Sequence, residues 1–229
     1  LRQYDKYIDK LYLPSSKMRP YVQYVEKFAD LPPGCELNES VIDSKKGKSL
    51  KEKLELFYVG GIGGLYDIEK SLQIVSRLDF VNLTVCCREN EWIANKVRYQ
   101  RYLKGNIEII HKSGKELDDY YKKADISLLY FASEGYRSFA MPVKLFEYMG
   151  NITPIIATKG SAAGEFVEKN DIGWNILYND DSLEKLLLQL HQDRRLLIDK
   201  RDNLVSAIAK NTWNARAMQV IDDLTKGEE

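Results

Sequence analysis

Few residues of this chain could build a metal or disulfide site. Its 229 residues include three cysteines and two histidines, and no two cysteines have the spacing of a zinc-binding pair. Cys86 and Cys87 are adjacent inside an apolar run, so they exclude a disulfide framework and favour a reducing compartment. We therefore predict no metal site and a cytoplasmic location.

The sequence also lacks a long hydrophobic run and an excess of either charge. No apolar segment approaches the ~18 residues of a membrane-spanning helix, and Leu1 is neither an initiator Met nor the start of a signal peptide. The 34 basic and 34 acidic residues give a formal net charge of zero, which disfavours nucleic acid as a partner. We expect the chain to be part of a longer protein.

From residue 54 onward, short apolar segments alternate with helical patterns. The apolar segments cover residues 54–59, 80–87, 107–110, 126–130, 155–157 and 173–177. Strands that alternate with helices are typical of a parallel sheet covered by helices. The sequence therefore predicts an α/β fold, a Rossmann-like parallel sheet flanked by helices, over residues 54–210, with a separate final helix in residues 211–229.

Residues 1–43 do not follow this pattern. They predict a strand that ends near Leu13, a helix over residues 18–28, and an extended segment over residues 31–36, where two prolines disfavour helix. Residues 44–53 form a basic linker. A polyphosphate-binding patch is one interpretation of it, and a solvated loop is the interpretation that we favour.

A run of glycines follows the first strand of the predicted sheet. Gly61, Ile62, Gly63 and Gly64 lie at its carboxyl end, where open α/β sheets bind ligands, and glycine lets the backbone approach a phosphate. Tyr66 stands where a dinucleotide fingerprint needs its third glycine. We therefore predict a phosphate loop of another kind, with a tight turn that binds no ligand as the alternative.

The stretch that leads into the fifth predicted strand has the clearest functional pattern. Pro142 predicts the first residue of a short helix, because its fixed φ suits that position. Helical spacing places Leu145 and Met149 on one face, and Lys144 and Glu147 on another. Gly150 is expected to end the helix in a left-handed conformation.

This order of loop, helix and strand suits a nucleoside diphosphate. A helix N-terminus offers unpaired N–H groups and the positive end of the helix dipole to a phosphate. One turn further, Glu147 can accept two hydrogen bonds from a vicinal diol. Lys144 adds a cation to the same face, and a solvated surface lysine is the alternative to a ligand role for it. Arg88, at the carboxyl end of the second strand, is either a second diphosphate ligand or a solvated loop arginine.

Residues 142–150, PVKLFEYMG, and residues 154–157, PIIA, resemble the donor-site signature of retaining GT-B glycosyltransferases of family four. The resemblance implies that Glu147 binds the ribose of a nucleotide-sugar and that Lys144 faces its diphosphate. The family usually has a second glutamate eight positions earlier, next to the donor sugar. This chain has Phe139 there. The sugar-side carboxylate is therefore unassigned.

The resemblance also suggests further contacts with the donor. In family members, the loop after the third strand lies against the nucleobase. This assigns His111 and Lys112 to the base, with an ordinary loop histidine as the alternative for His111. The residues whose peptide N–H groups are expected to lie near the diphosphate are Ser138, Phe139, Ala140 and Met141.

The activity that the resemblance implies is transfer of a sugar from a nucleotide-diphosphate donor to an acceptor hydroxyl, with retained anomeric configuration and no cofactor or metal. Residues 1–43 would be the remnant of an acceptor-side domain and its crossover segment, and the final helix would return to that domain. A glycan or lipid-linked acceptor would bind through the missing part, so the fragment would be inactive alone. The usual setting is polysaccharide or glycolipid synthesis, with peripheral association at the inner face of the membrane.

Two other functions stay open. A non-catalytic nucleotide-binding or interaction module could use the same sheet, because a fold does not settle a function. Phe139, in place of the expected acid, favours that interpretation. A different GT-B enzyme, such as a nucleotide-sugar epimerase, is disfavoured by the scarcity of histidines and of carboxylates in the predicted crevice.

Overall fold

The structure is a computed structural model, and it describes residues 6–22, 25–45 and 52–225. Residues 23–24 of the predicted first helix and residues 46–51 of the predicted linker lie outside this part of the chain. The described residues form two sheets, a pair of short strands near the N-terminus and a larger sheet of six strands.

The short sheet pairs β1 (Leu11–Leu13) with β2 (Phe28–Asp30) in parallel. The predicted helix over residues 18–28 is wrong, because a 3-10 turn covers Ser16–Tyr21 and β2 begins at the last predicted helical residue. Pro20 lies inside that turn. It has no N–H to donate, and its ring opposes a continued α-helix.

The larger sheet confirms the predicted α/β fold. Its strands are β3 (Leu54–Val59), β4 (Val81–Cys86), β5 (Ile107–Ile110), β6 (Ile126–Leu129), β7 (Ile155–Thr158) and β8 (Gly173–Ile176). Their order across the sheet is β5-β4-β3-β6-β7-β8, and every neighbouring pair is parallel. The central strand β3 sets the register, with Leu56 opposite both Leu83 and Ile126.

Helices flank this sheet, and their apolar faces supply the rest of the core. They are α1 (Glu39–Lys45), α2 (Glu69–Val75), α3 (Glu89–Tyr99), α4 (Asp118–Lys123), α5 (Tyr136–Phe139), α6 (Val143–Gly150), α7 (Ala162–Lys169), α8 (Asp180–Gln192), α9 (Arg195–Ala209) and α10 (Trp213–Thr225). Two short 3-10 turns, Gln100–Tyr102 and Gly114–Leu117, precede β5 and α4. Within the described ranges, none of these helices has the length and hydropathy needed to cross a bilayer.

The sequence pattern also predicts helix caps at Ser161 and at Asp181, and two helix N-termini test these predictions. Ser161 caps α7 as predicted, because its Oγ accepts the Gly164 N–H at 2.9 Å. The predicted cap of the next helix at Asp181 is wrong. Asn179 caps α8 instead, and its Oδ1 accepts the Ser182 N–H at 2.8 Å. Asn and Asp are about equally good caps, so residue type alone could not choose between them.

The end of α6 also differs from its prediction. Gly150 is the last helical residue and its φ is not positive; the left-handed residue is Ile152, with φ of 47°. Glycine is required at position 150 for another reason. A Cβ there would collide with the carbonyl oxygen of Glu36, and the Gly150 carbonyl accepts the Asn38 N–H at 2.9 Å. The N-terminal segment therefore packs directly on the end of α6.

A buried charged group lies just before β6. Asp125 is 2% exposed; its Oδ1 accepts a hydrogen bond from Arg201 Nη2 at 3.1 Å, and its Oδ2 accepts the Glu55 N–H at 3.1 Å. The ammonium of Lys45 is buried beside it and donates to the Ala124 carbonyl. Lys45 therefore belongs to α1 and to the protein interior, whereas the sequence placed it in a solvated linker.

The last helix lies against the N-terminal strands, as expected. Lys10 Nζ is 2.7 Å from an Asp223 carboxylate oxygen, and Gln219 Nε2 donates to the Asp30 carbonyl at 2.8 Å. The spacing of Trp213, Ala217, Val220 and Leu224 predicts an apolar stripe on α10. It is not buried throughout, because Trp213 is 55% exposed and Leu224 is 52% exposed.

Candidate functional site

The chain changes direction across the sheet between the neighbouring strands β3 and β6. After β3 it continues to β4 and β5 on one side, and after β6 it continues to β7 and β8 on the other. The loops that follow β3 and β6 therefore diverge and leave a crevice at the carboxyl ends of the strands, which is where open α/β sheets bind ligands. The glycine loop follows β3 and α6 follows β6, so both predicted parts of the site belong to this crevice.

The glycine loop needs backbone conformations that other residues rarely adopt. Gly60, Gly63 and Gly64 have φ values of 143°, 83° and 54°. The Ile62 N–H donates to Glu91 Oε2 at 3.0 Å, and the Ile62 side chain is buried. A carboxylate from α3 therefore occupies one of the peptide donors that the sequence assigned to a phosphate.

The other loop amides divide into two groups. The Gly60 and Gly63 N–H groups donate to backbone carbonyls at 2.9 and 3.2 Å. The Gly61 and Gly64 N–H groups have no acceptor among the residues that the structure describes. In this conformation, the loop therefore offers an anion two free peptide N–H groups rather than the N–H groups of all its residues.

Lys144 extends from α6 to the glycine loop. Its Nζ donates to the Tyr58 hydroxyl at 3.1 Å, and a side chain at Gly60 would collide with it. The same ammonium lies 4.7 Å from the Tyr58 ring centroid, 4.8 Å from that of Tyr66 and 5.6 Å from that of Phe131. These are cation–π distances. Lys144 is thus held in an aromatic cage, and it is not the solvated surface lysine that the sequence left open.

The cage changes the protonation of this lysine. Burial lowers the pKa of Lys144 to about 8, while the nearby charges of Glu147 and Glu91 act in the opposite direction. Desolvation disfavours the charged form of an amine, and an added anion favours it. The crevice therefore holds a poorly hydrated cation that an anionic ligand would stabilise.

The start of α6 agrees with its prediction to within one residue. Pro142 is the N-cap and Val143 is the first helical residue. Leu145 and Met149 are fully buried, as predicted. Glu147 lies on the exposed side of the helix; its backbone carbonyl accepts from Asn151, but its carboxylate has no hydrogen bond or ion pair to any described residue. Its carboxylate is free to accept hydrogen bonds from a ligand.

A cavity opens beside the cage, with an empty volume of about 530 Å³ that is partly open to solvent. Small and apolar residues make up much of its wall, and its charged lining residues are Lys144 and Arg137. Ser133, Thr158 and Ser161 add hydroxyl groups. Glu147 does not line this cavity, and none of the described residues that do is an Asp or Glu.

The loop before α6 brings only part of its predicted residues to this cavity. Ala140 lines the cavity, whereas the Ser138 Oγ donates to the Gly135 carbonyl at 2.7 Å. Phe139 packs against two tyrosine rings, with centroid distances of 4.8 Å to Tyr21 and 5.5 Å to Tyr136. Met141 is partly buried against the core. The side chain at the position of the missing glutamate is thus held in an aromatic cluster.

Three predicted residues lie at the carboxyl ends of β4 and β5, outside the cavity lining. Arg88 is 83% exposed, and its Nη1 lies 4.0 Å from a Glu91 carboxylate oxygen. His111 Nδ1 is 2.8 Å from the Cys87 carbonyl oxygen, and Lys112 forms an exposed ion pair with Glu116 at 2.9 Å. These side chains share the edge of the sheet with the crevice. No described group of three or more His, Cys, Asp or Glu side chains could hold a metal ion.

Sequence reasoning missed Arg137 and the cage aromatics. Arg137 is the only basic residue between β6 and Pro142, which was a usable signal. Tyr58 belongs to an apolar segment and Phe131 directly follows one, which predicts core for both. Nothing local to them points to a lysine 86 or 13 positions away.

Comparison with known proteins gives a family. The family model described as "Glycosyl transferases group 1" matches residues 56–193, which is more than half of the chain. The chain belongs to this family. The matched region contains the glycine loop, α6 and every residue that lines the cavity. A search of curated proteins found no match.

Solved structures agree on the fold. Sucrose-phosphate synthase from Thermosynechococcus elongatus is 17% identical with a TM-score of 0.72, and 98% of this chain aligns with 60% of that one. Anabaena Alr3699/HepE, solved in complex with UDP and glucose, is 9% identical with a TM-score of 0.73, covering 97% and 64% of the two chains. A glycosyltransferase from Rickettsia africae is 12% identical with a TM-score of 0.72, covering 96% and 65%.

These likenesses confirm the resemblance to GT-B glycosyltransferases and the Rossmann-like fold. At such low identity they establish the fold and carry no residue roles. This chain spans less than two thirds of the length of each of those structures.

Proposed function

We propose that this chain is the donor-binding part of a glycosyltransferase, which moves a sugar from a nucleotide-diphosphate sugar to an acceptor hydroxyl. The observation that supports this most directly is the crevice between β3 and β6. A glycine loop, the N-terminus of α6 and the caged Lys144 converge there. Peptide donors, a helix N-terminus and a buried cation are groups that bind phosphate.

The reaction would depend on charge at the leaving group. Breaking the bond at the anomeric carbon develops positive charge on the sugar and negative charge on the departing diphosphate. Fixed donors aimed at that diphosphate stabilise the transition state more than the ground state. The groups that we assign to it are Lys144, Arg88 and the free amides of Gly61 and Gly64. The N–H groups of Ser138 and Ala140, which the sequence also assigned to it, already donate to the Gly135 and Tyr136 carbonyls at 3.1 and 3.0 Å.

The nucleoside would lie along the exposed side of α6. The Glu147 carboxylate has no partner among the described residues, so both of its oxygens can accept hydrogen bonds from a ribose diol. His111 and Lys112, on the loop after β5, are assigned to the base. We propose no metal or other cofactor in the reaction.

The remaining parts of the proposal concern the whole protein. Residues 1–43 and α10 would join the donor-binding unit, residues 54–210, to an acceptor-side domain that binds a glycan or lipid-linked acceptor. The 229-residue chain alone would then bind donor and transfer little or no sugar. We place the protein in polysaccharide or glycolipid synthesis, in the cytoplasm or at the inner face of the membrane.

Calorimetric titration of the chain with UDP, GDP and ADP tests donor binding. We expect one of them to bind, and Glu147→Ala to weaken that binding about 10- to 100-fold, because a hydrogen bond to a charged group contributes about 1.5–3 kcal/mol. Glu108→Ala, which removes an exposed carboxylate from β5, is the matched control and should leave the affinity unchanged. If no nucleotide binds, or if Glu147→Ala binds as the unaltered chain does, the proposed site is wrong.

A non-catalytic nucleotide-binding module is the second candidate, and the packing of Phe139 between Tyr21 and Tyr136 favours it. Such a module would bind a nucleoside diphosphate and its sugar conjugates equally well, because no group would recognise the sugar. A transferase donor site should distinguish among conjugates of one nucleotide. Titration with UDP-glucose, UDP-galactose and UDP-N-acetylglucosamine separates the two.

A further inference from the structure

Arg137 brings a guanidinium into the cavity beside the Lys144 cage, and its buried Nε donor is unused. Its Nη1 group donates to the carbonyl of Leu65, at the end of the glycine loop. Its Nε is buried and has no hydrogen-bond partner among the described residues. Buried N–H donors in folded proteins nearly always have an acceptor, so this one calls for an acceptor that the described chain does not supply.

The lining of the cavity indicates what kind of acceptor that is. Arg137 and Lys144 are its two charged lining residues, and none of the described residues that line it is an Asp or Glu. An arginine fork matches the planar or tetrahedral oxygens of carboxylate and phosphate better than it matches a neutral hydroxyl. The cavity therefore favours an oxyanion.

The two cations lie at opposite ends of the glycine loop. Lys144 lies against Gly60, where the loop begins, and Arg137 is bonded to Leu65, just after the loop ends. Two anionic groups, one near each end, would satisfy both cations.

The loop before α6 presents a basic side chain to the cavity and no acidic one. Phe139, where the family usually has its sugar-side glutamate, is packed against Tyr21 and Tyr136. Arg137, two positions earlier, lines the cavity instead. A carboxylate at this place would accept hydrogen bonds from sugar hydroxyls, whereas a guanidinium can only donate.

We infer that Arg137 binds an oxyanion of the donor, which is a second anionic group beyond the phosphate that Lys144 faces, and that the cavity selects donors carrying it. This rests on the proposed donor site. Two groups of the donor are oxyanions of this kind: the terminal phosphate of the nucleoside diphosphate, and a carboxylate on the donor sugar.

Calorimetric titration with UMP, UDP, UDP-glucose and UDP-glucuronic acid distinguishes these sources. If the unaltered chain binds a nucleotide of another base more tightly, the same series is run with that base. For a terminal phosphate, Arg137→Met should weaken UDP binding by about tenfold or more and leave UMP binding unchanged. For a sugar carboxylate, it should weaken UDP-glucuronic acid by that factor and leave UDP-glucose unchanged. Arg137→Lys should restore part of the lost affinity in either case.

The control is Arg195→Met, which removes an equally charged but 84% exposed guanidinium on α9 and should change none of the four affinities. An equal loss for all four ligands in Arg137→Met would overturn the inference, because it would mean that Arg137 only holds the glycine loop through Leu65. No loss for any ligand would also overturn it. The Glu147→Ala variant tests the nucleotide site separately. Either of these two results for Arg137→Met is therefore compatible with the proposed function. Absence of nucleotide binding to the unaltered chain would remove both.

Discussion

The pKa of Lys144 makes a quantitative prediction about ligand binding. With a pKa of about 8, the protonated fraction of this lysine falls from about 0.9 at pH 7 to about 0.1 at pH 9. A bound phosphate would raise that pKa, because it stabilises the ammonium. If only the protonated form binds the diphosphate, affinity should fall about tenfold between pH 7 and pH 9.

Few other groups near the cage should contribute to this change. Burial raises the pKa of the Tyr58 hydroxyl well above its ordinary value, and burial raises that of the Cys87 thiol to about 12. Both stay protonated up to pH 9. The terminal phosphate of a nucleoside diphosphate ionises near pH 6, so its charge is nearly constant over the same range.

Titration calorimetry at pH 7, 8 and 9, at constant ionic strength, measures the effect. Lys144→Met should bind more weakly at pH 7 and should lose the tenfold pH dependence. Lys185→Met, which removes an 80% exposed lysine on α8, should keep both the affinity and the pH dependence. Equal affinity of the unaltered chain at pH 7 and pH 9 would refute the reasoning, and so would an undiminished pH dependence in Lys144→Met.

Stability gives an independent test of the same pKa. The unfolded lysine titrates near 10.5 and the folded one near 8, so the unfolded state binds more protons between these values. The free energy of unfolding should therefore rise with pH across that window, by up to about 3 kcal/mol. The difference between the unaltered chain and Lys144→Met in denaturant unfolding should follow that rise, whereas a constant difference would contradict it.

Two further predictions concern packing and can be checked by thermal or denaturant unfolding. Gly150→Ala should destabilise the fold by about 1–3 kcal/mol, because the added methyl collides with a backbone carbonyl, whereas Gly105→Ala, with open space at its Cβ, should change stability little. Asp125→Asn should cost about 3 kcal/mol or more, because it leaves the buried Arg201 guanidinium without its counter-charge. The matched change Asp181→Asn, at a 79% exposed carboxylate, should stay near zero. If the two changes within a pair altered the free energy of unfolding equally, the close contact at Gly150 or the buried ion pair at Asp125 would be wrong.

Local patterns were sufficient for the larger sheet. Each predicted strand matches an observed one to within about one residue at either end, because a buried parallel strand is a short apolar run bounded by turn residues. The amphipathic face of α6 was also predicted, because helical neighbours recur at three and four residues. Both signals depend on residues that are close together in the sequence.

Errors arose where a distant segment decides the local structure. A helix over residues 18–28 is a reasonable local pattern, yet β2 is stabilised by pairing with β1, more than a dozen residues earlier. Glycine often ends a helix, and this is the role that the sequence predicted for Gly150. The structure requires glycine there for another reason, because the Glu36 backbone crosses that helix end. Local propensity cannot predict contacts of this kind.

By itself, the sequence determined the order of strands and helices, the glycine loop at the end of β3, and a helix that presents Lys144 and Glu147 after β6. Only the tertiary structure decided the burial, the charge environment and the hydrogen-bond partners of these groups. It surrounds Lys144 with Tyr58, 86 positions away, and with other aromatic rings, and it places a Glu91 carboxylate on the Ile62 amide. The physical reason is that burial, charge and hydrogen bonding depend on neighbours in space, which only the folded chain brings together.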